Sequence, residues 1–249
     1  KLVKNHLLTL KKNSYLYIDC NDVRLNIDEL NNTLATYCLE NRVYTLVLDN
    51  YNPNIEFVNV SQLIIVSQEH YEIEFLDTLM VYPLDYEEFL AYEHKYDSTA
   101  LNHFVTLGGF AHMHKLHADT RNIYIQTMLK NALDEMEFDI LVFCAKMNAQ
   151  KLSAFMIYER LKVIRKISKD KLYQSYENLL EKNYIHALQK FEKPKATKKI
   201  YLCDIALKHA LSLDKSFSRL FENMVYLELL KSGIECFYDD GVDFYIPSN

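Results

Sequence analysis

Asp49 closes the apolar, β-prone run of residues 43–48. A carboxylate at the end of a buried strand can hold a hard divalent cation such as Mg²⁺ through its oxygens, which makes Asp49 the first candidate for chemistry. The next residue is Asn50, whose amide can orient a water but cannot accept its proton at neutral pH. Contact with phosphate is a second chemistry, offered by Arg160, Lys162, Arg165, Lys166, Lys169 and Lys171, with Lys193, Lys195, Lys198 and Lys199 further on. From Lys151 to Lys199 stand 13 Lys or Arg against 5 Asp or Glu, a local excess of +8, while the rest of the chain carries 15 against 29, or -14. Such a segment could neutralise nucleic-acid phosphates, or it could be the solvated face of a domain that packs on its neighbours. His112, His114 and His117, with His103 upstream, could ligate a transition metal if His114 and His117 share a helix face. No cysteine or paired carboxylate lies close enough to complete that set, so a surface or capping role is the plainer reading.

These groups need elements to hold them. Residues 1–12 read as a helix and 15–19 as a short strand, with further strands at 43–48 and 63–66 and room for a short helix between the last two. Helices alternating with short buried strands predict a parallel sheet. Pro83 at a first helical position opens an acidic amphipathic helix over 85–93, and Gly108 with Gly109 marks a sharp turn. From His117 onward most of the chain reads as helical. Residues 152–162 and 170–182 make two helices around a break at 166–169, and 184–191 with 199–202 make a hairpin, together a winged-helix pattern. A helix over 216–231 ends at Gly233 and is followed by strands at 235–238 and 243–246.

Composition bounds the reading. A chain of 249 residues that is 49% hydrophobic and 25% charged is that of a soluble globular protein with two or three units. No apolar run is long enough to span a bilayer and residues 1–12 lack a signal-peptide core, so no membrane partner is expected and the cytoplasm is the expected compartment. Five scattered cysteines, an odd number with none closely paired, predict reduced and mostly buried thiols. The only glycines are Gly108, Gly109, Gly233 and Gly241, so no phosphate-cradling loop is present in these residues.

Several patterns carry a resemblance by their order. Tyr17-Ile18-Asp19-Cys20-Asn21-Asp22 looks like a second strand with its acidic end, Leu46-Val47-Leu48-Asp49 like a Walker B strand, and Leu63-Ile64-Ile65-Val66-Ser67 like a sensor strand. Pro83-Leu84-Asp85-Tyr86-Glu87-Glu88-Phe89-Leu90 is similar to a P-L-S-F-x-E-F-L signature and Gly108-Gly109-Phe110 to a G-G-F/Y-P signature. Downstream, residues 199–204, 221–230 and 242–244 continue the likeness. Together they resemble a prokaryotic AAA+ type ATPase family, in which a P-loop ATPase core precedes a winged helix and a restriction-nuclease-like C-terminal domain of unknown function.

The resemblance implies an α/β protein with an AAA+ like parallel sheet core over 1–95 and a helical lid over 96–150. A winged helix over 151–202 and a small α+β nuclease-like segment over 203–249 would follow. It implies nucleotide and magnesium contacts at Asp49 and Ser67, with ATP and Mg²⁺ as cofactors only if a Walker A motif lies just before residue 1. It also places Glu222 and Asp243 where nuclease-like folds carry an acidic helix residue and a metal-binding strand aspartate. The departures matter. Asn50 stands where the family has a water-activating glutamate, Ser67-Gln68-Glu69 replaces a threonine- or serine-rich turn, and Glu74-Phe75-Leu76-Asp77 replaces a G-R pair, leaving no visible arginine finger. No strand carrying Glu or Gln, any residue, then Lys follows Asp243 before Asn249, so no catalytic residue and no metal site is assigned. The expectation is a cytoplasmic bacterial or archaeal ATP-binding protein, degenerate or weakly active as an ATPase, with nucleic acid and protein as candidate partners. The alternative is a non-enzymatic binding scaffold derived from such an ATPase.

Overall fold

Leu46, Val47 and Leu48 are fully buried, and a strand apolar along its whole length belongs in the middle of a sheet covered on both faces. In the computed structural model, which describes residues 2–214 and 216–247, that strand is β2 (Thr45–Asp49). It lies between β1 (Tyr15–Asp19) and β3 (Gln62–Val66), parallel to both, in register Asp19↔Asp49↔Val66. The helix α1 (Leu2–Thr9) precedes β1, and α2 (Ile27–Glu40) makes the crossover from β1 to β2. Asn26 caps α2 by accepting the Glu29 N–H, and Asp28 and Glu29 sit in the first turn, where the helix dipole favours negative charge. Leu34 and Cys38 of α2 pack with Leu46, Leu48 and Ile55. The connection from β2 to β3 holds no helix: Asn50 leaves the strand at φ 53° and buried Ile55 pins the loop. These elements form the first of two compact units, Lys1–Leu76; the second is Asp77–Asn249.

The second unit opens with α3 (Tyr86–Glu93) and α4 (Ala100–Leu107). α3 starts three residues after Pro83, because Asp85 and Glu88 form a reciprocal capping box: Asp85 Oδ1 accepts the Glu88 N–H at 2.8 Å and Glu88 Oε2 accepts the Asp85 N–H at 3.2 Å. A 3₁₀ turn (Met113–Lys115) leads to α5 (Ala118–Ala132) and α6 (Glu135–Lys146). Then come β4 (Gln150–Lys151), α7 (Ala154–Leu161), α8 (Lys169–Glu181), β5 (Ile185–Leu188) and β6 (Lys199–Leu202). β6 is the middle strand of a three-stranded antiparallel sheet in the order β4-β6-β5. Ser153 and Ser168 cap α7 and α8. Their apolar faces, with that of α6, bury Ile140, Cys144, Ile157, Leu172 and Leu179 against Ile185, Ile200 and Leu202.

The unit ends with α9 (Ile205–Leu211), α10 (Phe217–Lys231) and a hairpin of β7 (Phe237–Asp239) and β8 (Val242–Tyr245). Tyr226 of α10 stacks on buried Tyr201 of β6, ring centroids 4.2 Å apart, and Phe244 of β8 packs alongside. The described residues thus build a mixed α/β protein with ten α-helices and small parallel and antiparallel sheets. All five cysteines are free thiols, Cys38 and Cys144 fully buried and the others half-buried. No helix among the described residues is long and apolar enough to cross a membrane.

Candidate functional site

Ligands of open parallel sheets bind beyond the carboxyl ends of the strands. There the register sets Asp19 beside Asp49, with Ser67 just past β3. Both oxygens of Asp49 are already engaged: Oδ2 accepts the Tyr17 hydroxyl in a short hydrogen bond, and Oδ1 accepts the Asn50 N–H at 3.0 Å. The bond to Asp49 pushes the Tyr17 phenol up to about 12. Asn50 reaches across the edge, donating from Nδ2 to Asp19 Oδ1 at 2.9 Å, and this bond, with one from the Asn21 N–H, holds the Asp19 carboxyl below its usual range. Asn50 is therefore a cross-link between two strand ends. Ser67 Oγ accepts the Glu69 N–H at 2.9 Å and closes a local turn. Among the described residues nothing at this edge supplies the row of backbone donors that nucleotide phosphates need, and the four glycines lie at 108, 109, 233 and 241. These residues alone do not fit ATP with Mg²⁺.

The six basic residues of the helix pair divide by partner. Arg165 is tied to α6 through Glu135 at 2.5 Å and Asp139 at 2.6 Å, Lys162 pairs with Glu159 at 2.5 Å, and Lys171 stands 3.9 Å from Asp134. Lys169 lies over two aromatic rings, Phe155 at 5.8 Å and Tyr173 at 5.4 Å. Arg160 and Lys166 are exposed and make no ion pair among the described residues. Lys193 and Lys195, exposed, and Lys198, half-buried, in the loop between β5 and β6 likewise make no ion pair among the described residues, whereas Lys190 is taken up by Asp239 and Asp240. Sequence spacing weights all six alike; carboxylates at the start of α6 take up Arg165 and Lys171, and Glu159 of α7 takes up Lys162.

Glu222 and Asp243 do come together, through Lys199 at the start of β6. Lys199 Nζ lies 2.7 Å from Glu222 Oε1 and 2.6 Å from Asp243 Oδ1, and the Tyr201 hydroxyl donates to Glu222 Oε1 at 2.7 Å. An ammonium thus stands between the two carboxylates, the position a metal ion bridging them would take. No group of three or more His, Cys, Asp or Glu side chains suited to a metal ion occurs among the described residues.

The histidine run separates on folding. His114 sits in the 3₁₀ turn and His117 precedes α5 as its cap residue, so they share no helix face. His114 is buried rather than superficial, with Nδ1 2.8 Å from Glu93 Oε1 and Nε2 3.1 Å from the Gly108 carbonyl. It belongs to a junction that joins residues 83–90 and 108–110. Asp204, fully buried, accepts the Gly109 N–H at 2.8 Å and the Ala206 N–H at 2.7 Å. Gly109 in turn accepts the Leu84 N–H at 2.9 Å, while Glu228 accepts the Tyr86 N–H and Lys231 pairs with Asp85 and Glu88. Burial pushes the Asp204 carboxyl up to about 7, against backbone N–H groups of Ala206, Gly109 and Phe110 that favour its ionised form. A small cavity of about 30 Å³ lies beside it, lined by Leu84, Phe104, Met224 and Leu227 among others. It has room for about one water, not for a substrate. Asp204 ends the 199–204 stretch singled out in the sequence and caps α9 locally through the Ala206 N–H, but its bond to Gly109 spans 95 positions and has no local signal.

No family model, curated protein or solved structure matches the chain.

Proposed function

We propose that this chain is a cytoplasmic binding protein built on a degenerate AAA+ type ATPase plan, engaging nucleic acid through a winged-helix element over 151–202 rather than hydrolysing ATP. On this reading residues 203–249 are a nuclease-like remnant that serves packing. The observation that carries the proposal is a set of five cations that make no ion pair among the described residues, Arg160, Lys166, Lys193, Lys195 and Lys198, all in one segment of an otherwise acidic chain. Phosphate contacts position a protein without reading bases. Reversing Arg160 and Lys166 to Glu should therefore weaken nucleic-acid binding about equally across sequences and flatten its salt dependence by roughly one unit per lost contact. Arg165 is unsuitable for this test, because its reversal would set a third carboxylate against Glu135 and Asp139. Fluorescence anisotropy against salt concentration is the measurement. Absence of any salt-sensitive binding at low ionic strength would overturn the proposal.

A second reading, a nucleotide-binding core, is favoured by the adjacent carboxylates Asp19 and Asp49 at the carboxyl edge of a parallel sheet. Calorimetric titration of residues 1–249 with ATP and Mg²⁺ separates the two. The expected outcome is no binding in the micromolar range, since no glycine-rich loop is at hand. A micromolar Kd weakened by Asp49→Ala would establish the second reading.

A further inference from the structure

We propose that the basic surface takes single-stranded nucleic acid, stacking unpaired bases on Phe155 and Tyr173 while Lys169 between them meets a phosphate. The inference rests on the nucleic-acid reading above and narrows it to a strand type. Phe155 is 51% exposed and Tyr173 36%, which leaves much of each ring open to solvent although both sit in the most basic stretch of the chain. The Lys169 ammonium stands 5.8 Å from one ring centroid and 5.4 Å from the other, so all three groups share one patch. The end of the loop between β5 and β6 is tied to the residues before α7: the Leu152 N–H, three residues before Phe155, donates to the Lys198 carbonyl at 2.9 Å. Arg160 and Lys166 supply further positive charge from the end of α7 and the turn beyond it.

Two features decide between one strand and two. Bases of a duplex are already stacked on each other and offer protein only their edges, so exposed rings gain nothing from them, whereas an unpaired base presents a π-face. The second feature is the charge of α8 itself. Its two lysines, Lys169 and Lys171, stand in its first turn, while Asp170, Glu177 and Glu181 make the helix net negative. A helix laid along a duplex groove would bring Glu177 and Glu181 towards phosphates. A strand crossing only its N-terminal end meets Lys169 and the two rings and avoids both glutamates.

The test is fluorescence anisotropy on residues 1–249 with a labelled mixed-sequence single strand and with the duplex of the same sequence, each titrated with salt. The single strand should bind more tightly. Phe155→Ala and Tyr173→Ala should each weaken it about tenfold without changing the salt slope, since stacking releases no counterions. Neither variant should alter duplex binding. Phe155→Leu, which keeps apolar bulk but removes the ring, should behave like the alanine variant. Unchanged unfolding midpoints would show that the exposed substitutions leave the fold intact. Tighter duplex binding, or indifference of the single strand to loss of either ring, overturns this proposal. In that outcome the broader reading stands if Arg160→Glu and Lys166→Glu still weaken binding. No salt-sensitive binding to either form overturns both.

Discussion

Lys199 carries two carboxylates that sit in unequal surroundings. Its ammonium and Glu222 are mostly buried, at 12% and 15% side-chain exposure, whereas Asp243 is 63% exposed. Water screens the outer pair and leaves it worth little, while the inner pair cannot lose a partner without stranding a charge. Lys199→Met should therefore cost about 2 kcal/mol, because Glu222 keeps only the Tyr201 hydroxyl as a donor. Asp243→Asn should cost less than about 0.5 kcal/mol. Urea unfolding midpoints at constant m measure both. Equal losses would mean that solvent reaches Glu222 as freely as Asp243, contrary to the packing of Tyr201, Tyr226 and Phe244 beside them. The same asymmetry makes this pair a structural tie: a cation binding between the carboxylates would first have to displace a lysine already held by both.

Residues 83–90 and 108–110 of the second unit meet in one junction, and the space around its glycines is limiting. A Cβ on Gly109 would stand 2.2 Å from the Leu84 carbonyl oxygen, and one on Gly108, at φ 71°, would stand 2.1 Å from Asp204 Oδ1. Backbone cannot swing aside as a flexible side chain can, so Gly109→Ala should destabilise by about 3 kcal/mol or more. Gly233→Ala is the control: nothing lies within 4 Å of its Cβ, and only the positive φ of 67° counts against it, for about 1 kcal/mol. Thermal unfolding should rank them in that order, and similar losses would show that the junction yields. Legibility in the sequence follows the same division between local and remote. The strands at 15–19 and 63–66, the helices ending at Glu93 and Lys231 and the hairpin into β6 are readable, since apolar runs, caps and periodicity act within a few residues. The loop after Asn50 is less so, because its course depends on one buried isoleucine and a left-handed residue. The tie that Asp204 makes is illegible: its bond to Gly109 spans 95 positions. Arg165 misleads for the same reason, its acidic partner Glu135 being 30 positions away.

Over the whole molecule, two ionisable groups, buried Asp204 and half-buried His186, bias stability in opposite directions with pH. Asp204, raised by burial to about 7 from an ordinary 3.8, binds its proton more readily folded than unfolded. Its contribution is fully present below the unfolded value and is lost as pH rises through about 7. His186 of β5 is lowered by burial to about 4 from 6.5, so its contribution is present above the unfolded value and lost as pH falls through about 4. Between those limits the two slopes oppose each other, and the native protein shows a weaker pH dependence than either group alone would give. Single substitutions separate them. Asp204→Asn should lie further below the native chain at about pH 5 than at about pH 7.5, the gap widening by about 2 kcal/mol. His186→Phe removes the opposite term, so acidification over the same interval should improve the variant relative to the native chain. The chain has no tryptophan, so unfolding in urea is followed by circular dichroism. A pH-independent gap for Asp204→Asn would mean that the carboxylate is ionised at both pH values, its backbone donors outweighing burial. The junction would then be held by charge throughout the physiological range rather than by a group that titrates near neutrality.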